Sequence, residues 1–136
     1  MARNGSSWSI ENIDQGPAGY GVFASIAVDG VGNIHVVHGN GNLRYAYFNG
    51  VDWTKSDIGP GTNCTLALDL NGIPYIGYNK SGQAWIATLQ SDGTWQHELV
   101  DSTGGGRTMV RSDGSGAPNV LYDGRPDGLD WARKNP

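Results

Sequence analysis

The chain has 136 residues, room for one domain, and carries a net charge of -4 with no basic run, which gives no footing for nucleic acid or an anionic membrane surface. It has 22 glycines and only 16% charged residues, with Val, Ile, Thr, Tyr and Trp well represented, a profile of short strands and many turns. The apolar runs are strand-sized, too short to span a membrane as helices, and a single cysteine, Cys64, excludes an internal disulfide and a Cys-based zinc site. The opening MARNGSSWS has no apolar h-region, so no secretory leader is expected. The lone cysteine fits a reducing compartment, and with no leader seen a cytoplasmic location is the default expectation.

In chain order, residues 4–13 (NGSSWSIENI) read as one strand after a turn. Residues 25–58 then read as four strands: SIAVD (a), IHVVH (b), LRYAYF (c) and, after the turn NGVDW, TKSDI (d). The pattern returns twice. Asp29, Asp69 and Asp113 open the ten-residue pieces DGVGNIHVVH, DLNGIPYIGY and DGSGAPNVLY, which align without a gap at spacings of 40 and 44 residues. Gly32, Gly72 and Gly116 coincide, as do Val36, Ile76 and Val120, and then His38, Tyr78 and Tyr122. Strand c follows as AWIATL from Ala84 and as LDWA from Leu129, with Ala46, Ala87 and Ala132 aligned. SDGTW then leads to Trp95 and the d strand QHELV. The third unit has no d strand, whereas residues 4–13 match residues 49–58, with Trp8 on Trp53 and Ile13 on Ile58.

Four antiparallel strands per 40–44 residues is the period of a β-propeller blade. The expected fold is therefore all-β: a half-propeller of three blades at residues 22–59, 64–101 and 107–136, the last lacking strand d, with residues 4–14 as a displaced d strand. A solenoid of stacked strands is the alternative, but it does not explain the displacement. Propellers have about 4–8 blades, so two copies are expected to make one six-bladed ring. In that homodimer the strand around residues 8–13 of each chain completes the last blade of the other, leaving no open sheet edge and no stable folded monomer.

The turn-Trp segments resemble the Asp-box (BNR-type) repeats of sialidase-like β-propellers, whose pattern is roughly Ser-x-Asp-x-Gly-x-Thr-Trp. Ser91-Asp92-Gly93-Thr94-Trp95 is a shortened version; Asn49-Gly50-Val51-Asp52-Trp53 and Asn4-Gly5-Ser6-Ser7-Trp8 are looser ones. The resemblance implies that these turns lie between strands c and d and serve folding. The physical reading agrees: a turn side chain caps backbone N–H groups and Trp8, Trp53 and Trp95 pack between blades.

Strand direction puts the d–a and b–c loops on one face of the ring, and by resemblance to other propellers ligands bind there or in the central channel. The candidates are Tyr20 and Phe23 in the first d–a loop, Asn63 and Cys64 in the second and Arg107 in the third. The b–c loops supply His38, Asn40, Tyr78, Asn79, Lys80, Tyr122, Asp123, Arg125 and Asp127, and Arg44 and Trp85 open strand c. From these, Tyr20, His38, Arg44, Tyr78, Trp85, Arg107, Tyr122 and Asp123 form the expected ligand-binding set. Aromatic faces beside Asn, Asp and Arg suit sugars; the competing reading makes Tyr78 and Tyr122 packing residues.

A non-catalytic, carbohydrate-binding propeller is the first expectation, a protein-interaction scaffold the second and a small sialidase-like glycosidase the third. The two glutamates, Glu11 and Glu98, both fall on outer d strands and cannot meet in a central site, and no Ser-His-Asp order or phosphate loop is discernible. No cofactor is implied. His35 and His38 point to opposite faces of one strand, His97 is expected to be solvated, and no metal site follows. Cys64 aligns with Ala24 and Thr108, a small packed position.

Overall fold

Asp29, Asp69 and Asp113 recur because each closes a tight turn. Asp29 Oδ1 accepts the N–H groups of Val31 and Asn33 at 3.0 and 2.9 Å. Asp69 Oδ1 does the same for Asn71 and Ile73 at 2.8 and 2.9 Å, and Asp113 Oδ1 for Ser115 and Ala117 at 2.8 and 3.2 Å. The glycines in these turns, Gly32, Gly72 and Gly116, have φ of 92°, 78° and 83°, a left-handed conformation that other residues adopt at a cost. The c–d turns use the same device: Asn49 Oδ1 accepts from the Val51 and Asp52 N–H groups, and Asp92 Oδ1 from the Thr94 N–H.

The computed structural model describes residues 7–17, 21–124 and 126–135. Among them there is no helix. The strands are β1 (Ser25–Val28), β2 (Ile34–His38), β3 (Gly41–Phe48), β4 (Trp53–Leu68), β5 (Pro74–Lys80), β6 (Gln83–Leu89), β7 (Trp95–Asp101), β8 (Thr108–Ser112), β9 (Pro118–Asp123) and β10 (Leu129–Arg133). All pairings are antiparallel. Hydrogen bonding orders β1 to β7 consecutively in one seven-stranded sheet, and β10-β9-β8 in a three-stranded one.

Strand d of the first unit and strand a of the second were expected to be separate, with a loop between residues 59 and 64. They are one strand, β4, sixteen residues long. Residues 53–61 pair with β3 and residues 62–68 with β5. The chain turns from one partner to the next at Gly59 (φ 130°) and Asn63 (φ 52°), where the backbone leaves extended conformation and the strand bends. The seven-stranded sheet is thus two four-stranded meanders sharing β4, and β8–β10 form a third, three-stranded one.

Each meander stacks on the next by the same pair of faces. Val37, Leu43 and Tyr45 of the first pack on Leu66, Ile76 and Ala87 of the second. The opposite side of the second, with Ala67 and Ile86, packs on Val110, Val120 and Ala132 of the third. Leu66, Ile76 and Ala87 are one cross-strand row, as Val110, Val120 and Ala132 are. Burying a side chain such as Ile76 fully stabilises by about 1.5–3 kcal/mol.

Two faces at the ends of the stack are left over. Ile26 and Val28, on the side of the first meander equivalent to Leu66 and Ile76, are 65% and 61% exposed. On the far side of the third meander Met109, Leu121 and Trp131 form a cross-strand row with Leu129 beside it, and Leu129 and Trp131 are 68% and 65% exposed. Residues 7–16 form no strand within the chain, and Trp8 and Ile10 are more than nine-tenths exposed.

Candidate functional site

The residues that precede the inner strands of the three meanders come together. Phe23 and Ala24 lead into β1, Asn63 and Cys64 lie in β4 where pairing to β5 begins, and Arg107 leads into β8. With Tyr122, Asp123 and Leu129 they line a hollow of about 430 Å³. Each repeat returns the chain to this point, so equivalent positions of the three meanders face one space.

Two of these residues are held in an unusual conformation. Phe23 and Asn63, aligned in the repeat, have φ of 53° and 52°, left-handed values that Asn tolerates and Phe adopts at a cost. The Phe23 carbonyl accepts from the Cys64 thiol at 2.9 Å. The Asn63 amide donates to the Gly106 carbonyl at 3.3 Å, linking the second and third meanders. Burial pushes the Cys64 thiol up to about 12, so very little of it is thiolate near neutral pH.

Asp123 shapes the third corner. Its Oδ2 accepts the Arg107 N–H at 3.2 Å and its carbonyl accepts the Gly105 N–H at 2.9 Å. The Tyr122 hydroxyl donates to Asp101 Oδ2 at 3.0 Å. The Arg107 side chain is exposed at the rim and has no ion pair among the described residues. The hollow therefore offers an aromatic ring, an amide, a free guanidinium and a carboxylate.

Of the expected ligand-binding set, Arg107, Tyr122 and Asp123 meet here, joined by Phe23, Asn63 and Cys64 from the same loops. The other members lie elsewhere. His38 Nε2 is 3.2 Å from Asp14 Oδ2, and Arg44 holds Asp14 at 2.8 Å and Asp57 at 2.7 Å, so both are engaged on the free face of the first meander. Tyr78 is 2% exposed, a core residue whose hydroxyl meets His97 Nδ1 at 2.7 Å. His97 is exposed but has that partner. Trp85 lies under Lys80, 5.4 Å from the ring centre, and its indole N–H donates to Gln83. Tyr20 and Arg125 lie outside the described residues.

A wider hollow of about 650 Å³ opens at the turns between the second and third meanders, near Tyr75 and Ser115. Its cations are already spent: Arg133 pairs with Asp113 and Lys134 with Glu98. Glu11, the other glutamate, accepts the Trp53 indole N–H at 3.1 Å. Among the described residues lining the inner hollow, Asp123 is the one carboxylate, whereas hydrolysis by paired carboxyls needs two. Among the described residues no group of three or more His, Cys, Asp or Glu side chains could hold a metal ion. No family model and no curated protein matches the chain.

Proposed function

We propose that the chain is a half-propeller that binds a ligand without turning it over, and that the ligand is a carbohydrate. In this reading two copies form a closed ring of six blades, each chain lending its N-terminal segment to the last blade of the other. Three features support the ring. The meanders repeat in sequence, they stack by one rule, and the two uncovered faces are the two halves of that same contact. The side carrying Ile26 and Val28 is of the kind that packs on a preceding unit, and the side carrying Leu121 and Trp131 is of the kind that accepts a following one. Joining unlike faces between two copies closes a ring with two-fold symmetry.

The observation that carries the ligand reading is the convergence of Phe23, Asn63, Arg107 and Asp123 on one hollow. An aromatic ring covers the C–H face of a pyranose while amide, guanidinium and carboxylate bond its hydroxyls. Met109, Leu121 and Leu129, which also border the hollow, belong to the face that a second copy covers. Sugar binding and pairing of the two copies are therefore contiguous, and the repeat of the site in both copies adds avidity.

The test is a glycan array probed with the 136-residue chain and with Arg107→Ala. Binding to a restricted set of glycans, lost in the variant while its thermal melting is unchanged, supports the reading. Binding unaffected by Arg107→Ala, or no glycan bound at all, contradicts it. Turnover of a fluorogenic glycoside panel by the wild-type chain contradicts the non-catalytic part.

A further inference from the structure

The contact between Asp14 and His38 is a repeat-equivalent of one seen between two meanders. Trp8 aligns with Trp95, which puts Asp14 at the position of Asp101, and His38 aligns with Tyr122. Asp101, at the end of the outer strand β7 of the second meander, takes the Tyr122 hydroxyl of the third at 3.0 Å. Asp14 meets His38 of the first meander at 3.2 Å. Residues 8–14 thus stand to the first meander as β7 stands to the third: they occupy the place of the outer strand of a preceding unit, but the rest of that unit is not theirs.

The third meander has the converse defect. Its β10 is paired on one side only, with β9. Beside it lies a hollow of about 170 Å³ lined by Ile86, Val120 and Ala132, among others. These three align with Tyr45, Ile76 and Ala87. In the second meander that is the cluster against which Trp95 packs, with the Tyr45 and Trp95 rings edge to face at 5.2 Å.

From this geometry we infer that residues 8–14 of a second copy pair antiparallel with β10 in one fixed register, with Trp8 of the second copy seated in the hollow beside Ile86 and Ala132. This rests on the two-copy ring proposed above and adds its pairing. The two outer pairs of the chain agree on the register. Phe48 faces Trp53 and Leu89 faces Trp95; Tyr47 faces Thr54 and Thr88 faces Gln96. Both pairs then slip by one residue at the same place, between Leu43 and Arg44 and between Ala84 and Trp85. Transferred to β10, Trp8 of the second copy faces Lys134, Ser9 faces Arg133, Ile10 faces Ala132 and Glu11 faces Trp131. Ile13 is the bulged residue, in the place of Ile58 and Val100, and Asp14 returns to face Leu129.

The pairing is tested by cysteine cross-linking of the full 136-residue chain. Facing residues on antiparallel strands have Cα atoms about 4.5–5.5 Å apart, within disulfide range, whereas a shift of two residues puts them beyond it. Ser9→Cys with Arg133→Cys is the matched pair; Glu11→Cys with Arg133→Cys is the displaced one. After mild oxidation the matched variant is expected to run as a covalent dimer on a non-reducing gel, and the displaced variant as a single chain. Two results overturn the register while leaving the two-copy ring standing, given a dimeric mass by light scattering: no cross-link in the matched variant, or equal cross-linking in both. A matched disulfide formed within one chain overturns the exchange. A folded monomer in the uncross-linked protein overturns both the pairing and the ring.

Discussion

The Cys64 thiol donates to the Phe23 carbonyl across 2.9 Å, tying the first meander to the second at the rim of the inner hollow. It fixes the backbone of a residue in left-handed conformation, the one that Asn63 adopts at the same place in the repeat: Phe23 has φ 53° and a bulky side chain that is 45% exposed. An exposed aromatic held under backbone strain is better explained by what it meets than by what it packs on.

Phe23→Gly therefore separates stability from binding. Glycine adopts φ 53° without strain, and this offsets its greater freedom in the unfolded chain, so the expected change in unfolding free energy is within about 1 kcal/mol, on the stabilising side. Glycan affinity is expected to fall at least tenfold. Denaturant unfolding together with a binding titration checks the pair; a variant that is destabilised by about 2 kcal/mol or more would assign Phe23 to packing.

The Cys64 thiol should be inert in the native protein. Burial pushes it up to about 12, which leaves roughly a thousandfold less thiolate at pH 8 than an ordinary cysteine. Alkylation by iodoacetamide is expected to be negligible over hours under native conditions and complete within minutes in guanidinium chloride. Rapid native labelling would show that the first two meanders open readily at this seam.

Asp14 is the clasp between the N-terminal segment and the first meander. Its carboxylate, 9% exposed, takes Arg44 at 2.8 Å, with His38 at 3.2 Å and Lys55 at 3.7 Å. Partial desolvation raises its pKa, but the Arg44 hydrogen bond and charge, with the Gln15 N–H and Lys55, outweigh it and leave it lowered. Asp14→Ala is expected to cost about 2 kcal/mol, the scale of a lost charge-assisted bond that leaves Arg44 less well paired.

The turn carboxylates set an acid limit. Asp29 is brought down to about 2: desolvation pushes it up, and hydrogen bonds from the Asn33 side chain and N–H, His35 and the Val31 N–H outweigh this. Asp113 lies lower still, held by the Ser115 hydroxyl and N–H, then by Arg133 and Asn119. A carboxylate whose pKa is lower folded than unfolded contributes fully above its unfolded value, near 4, and loses that contribution as pH falls through the folded one. Stability is expected to be flat from pH 7 to about 5 and to drop between about 4 and 2. Thermal melts over that range check it, and a melt unchanged at pH 2.5 would contradict it.

Much of the fold was legible because the residues that repeat are the ones with fixed jobs. Asp29, Asp69 and Asp113 bond their own turns, and Val36, Ile76 and Val120 hold equivalent positions in their meanders. Both effects are local or periodic, and a sequence displays them. The continuity of β4 was not legible: residues 59–63 contain Gly, Pro and Asn and read as a loop, whereas residues 59–61 pair with β3 and Thr62 with β5, so the bend falls inside one strand. For the site, strand direction alone gathered Arg107, Tyr122 and Asp123. His38 and Arg44, expected beside them, bond Asp14, which lies 24 and 30 residues away in the sequence, a long-range contact that strand direction does not display. One signal for that contact was present, the alignment of Asp14 with Asp101.

The mass of the native protein tests the closed ring of two copies most directly. Light scattering on the unmodified chain, from high to low micromolar concentration, is expected to give twice the 14.4 kDa of one chain, with loss of folded signal by circular dichroism wherever the mass falls. A species of 14.4 kDa that keeps its β-sheet signal and melts cooperatively would contradict the account.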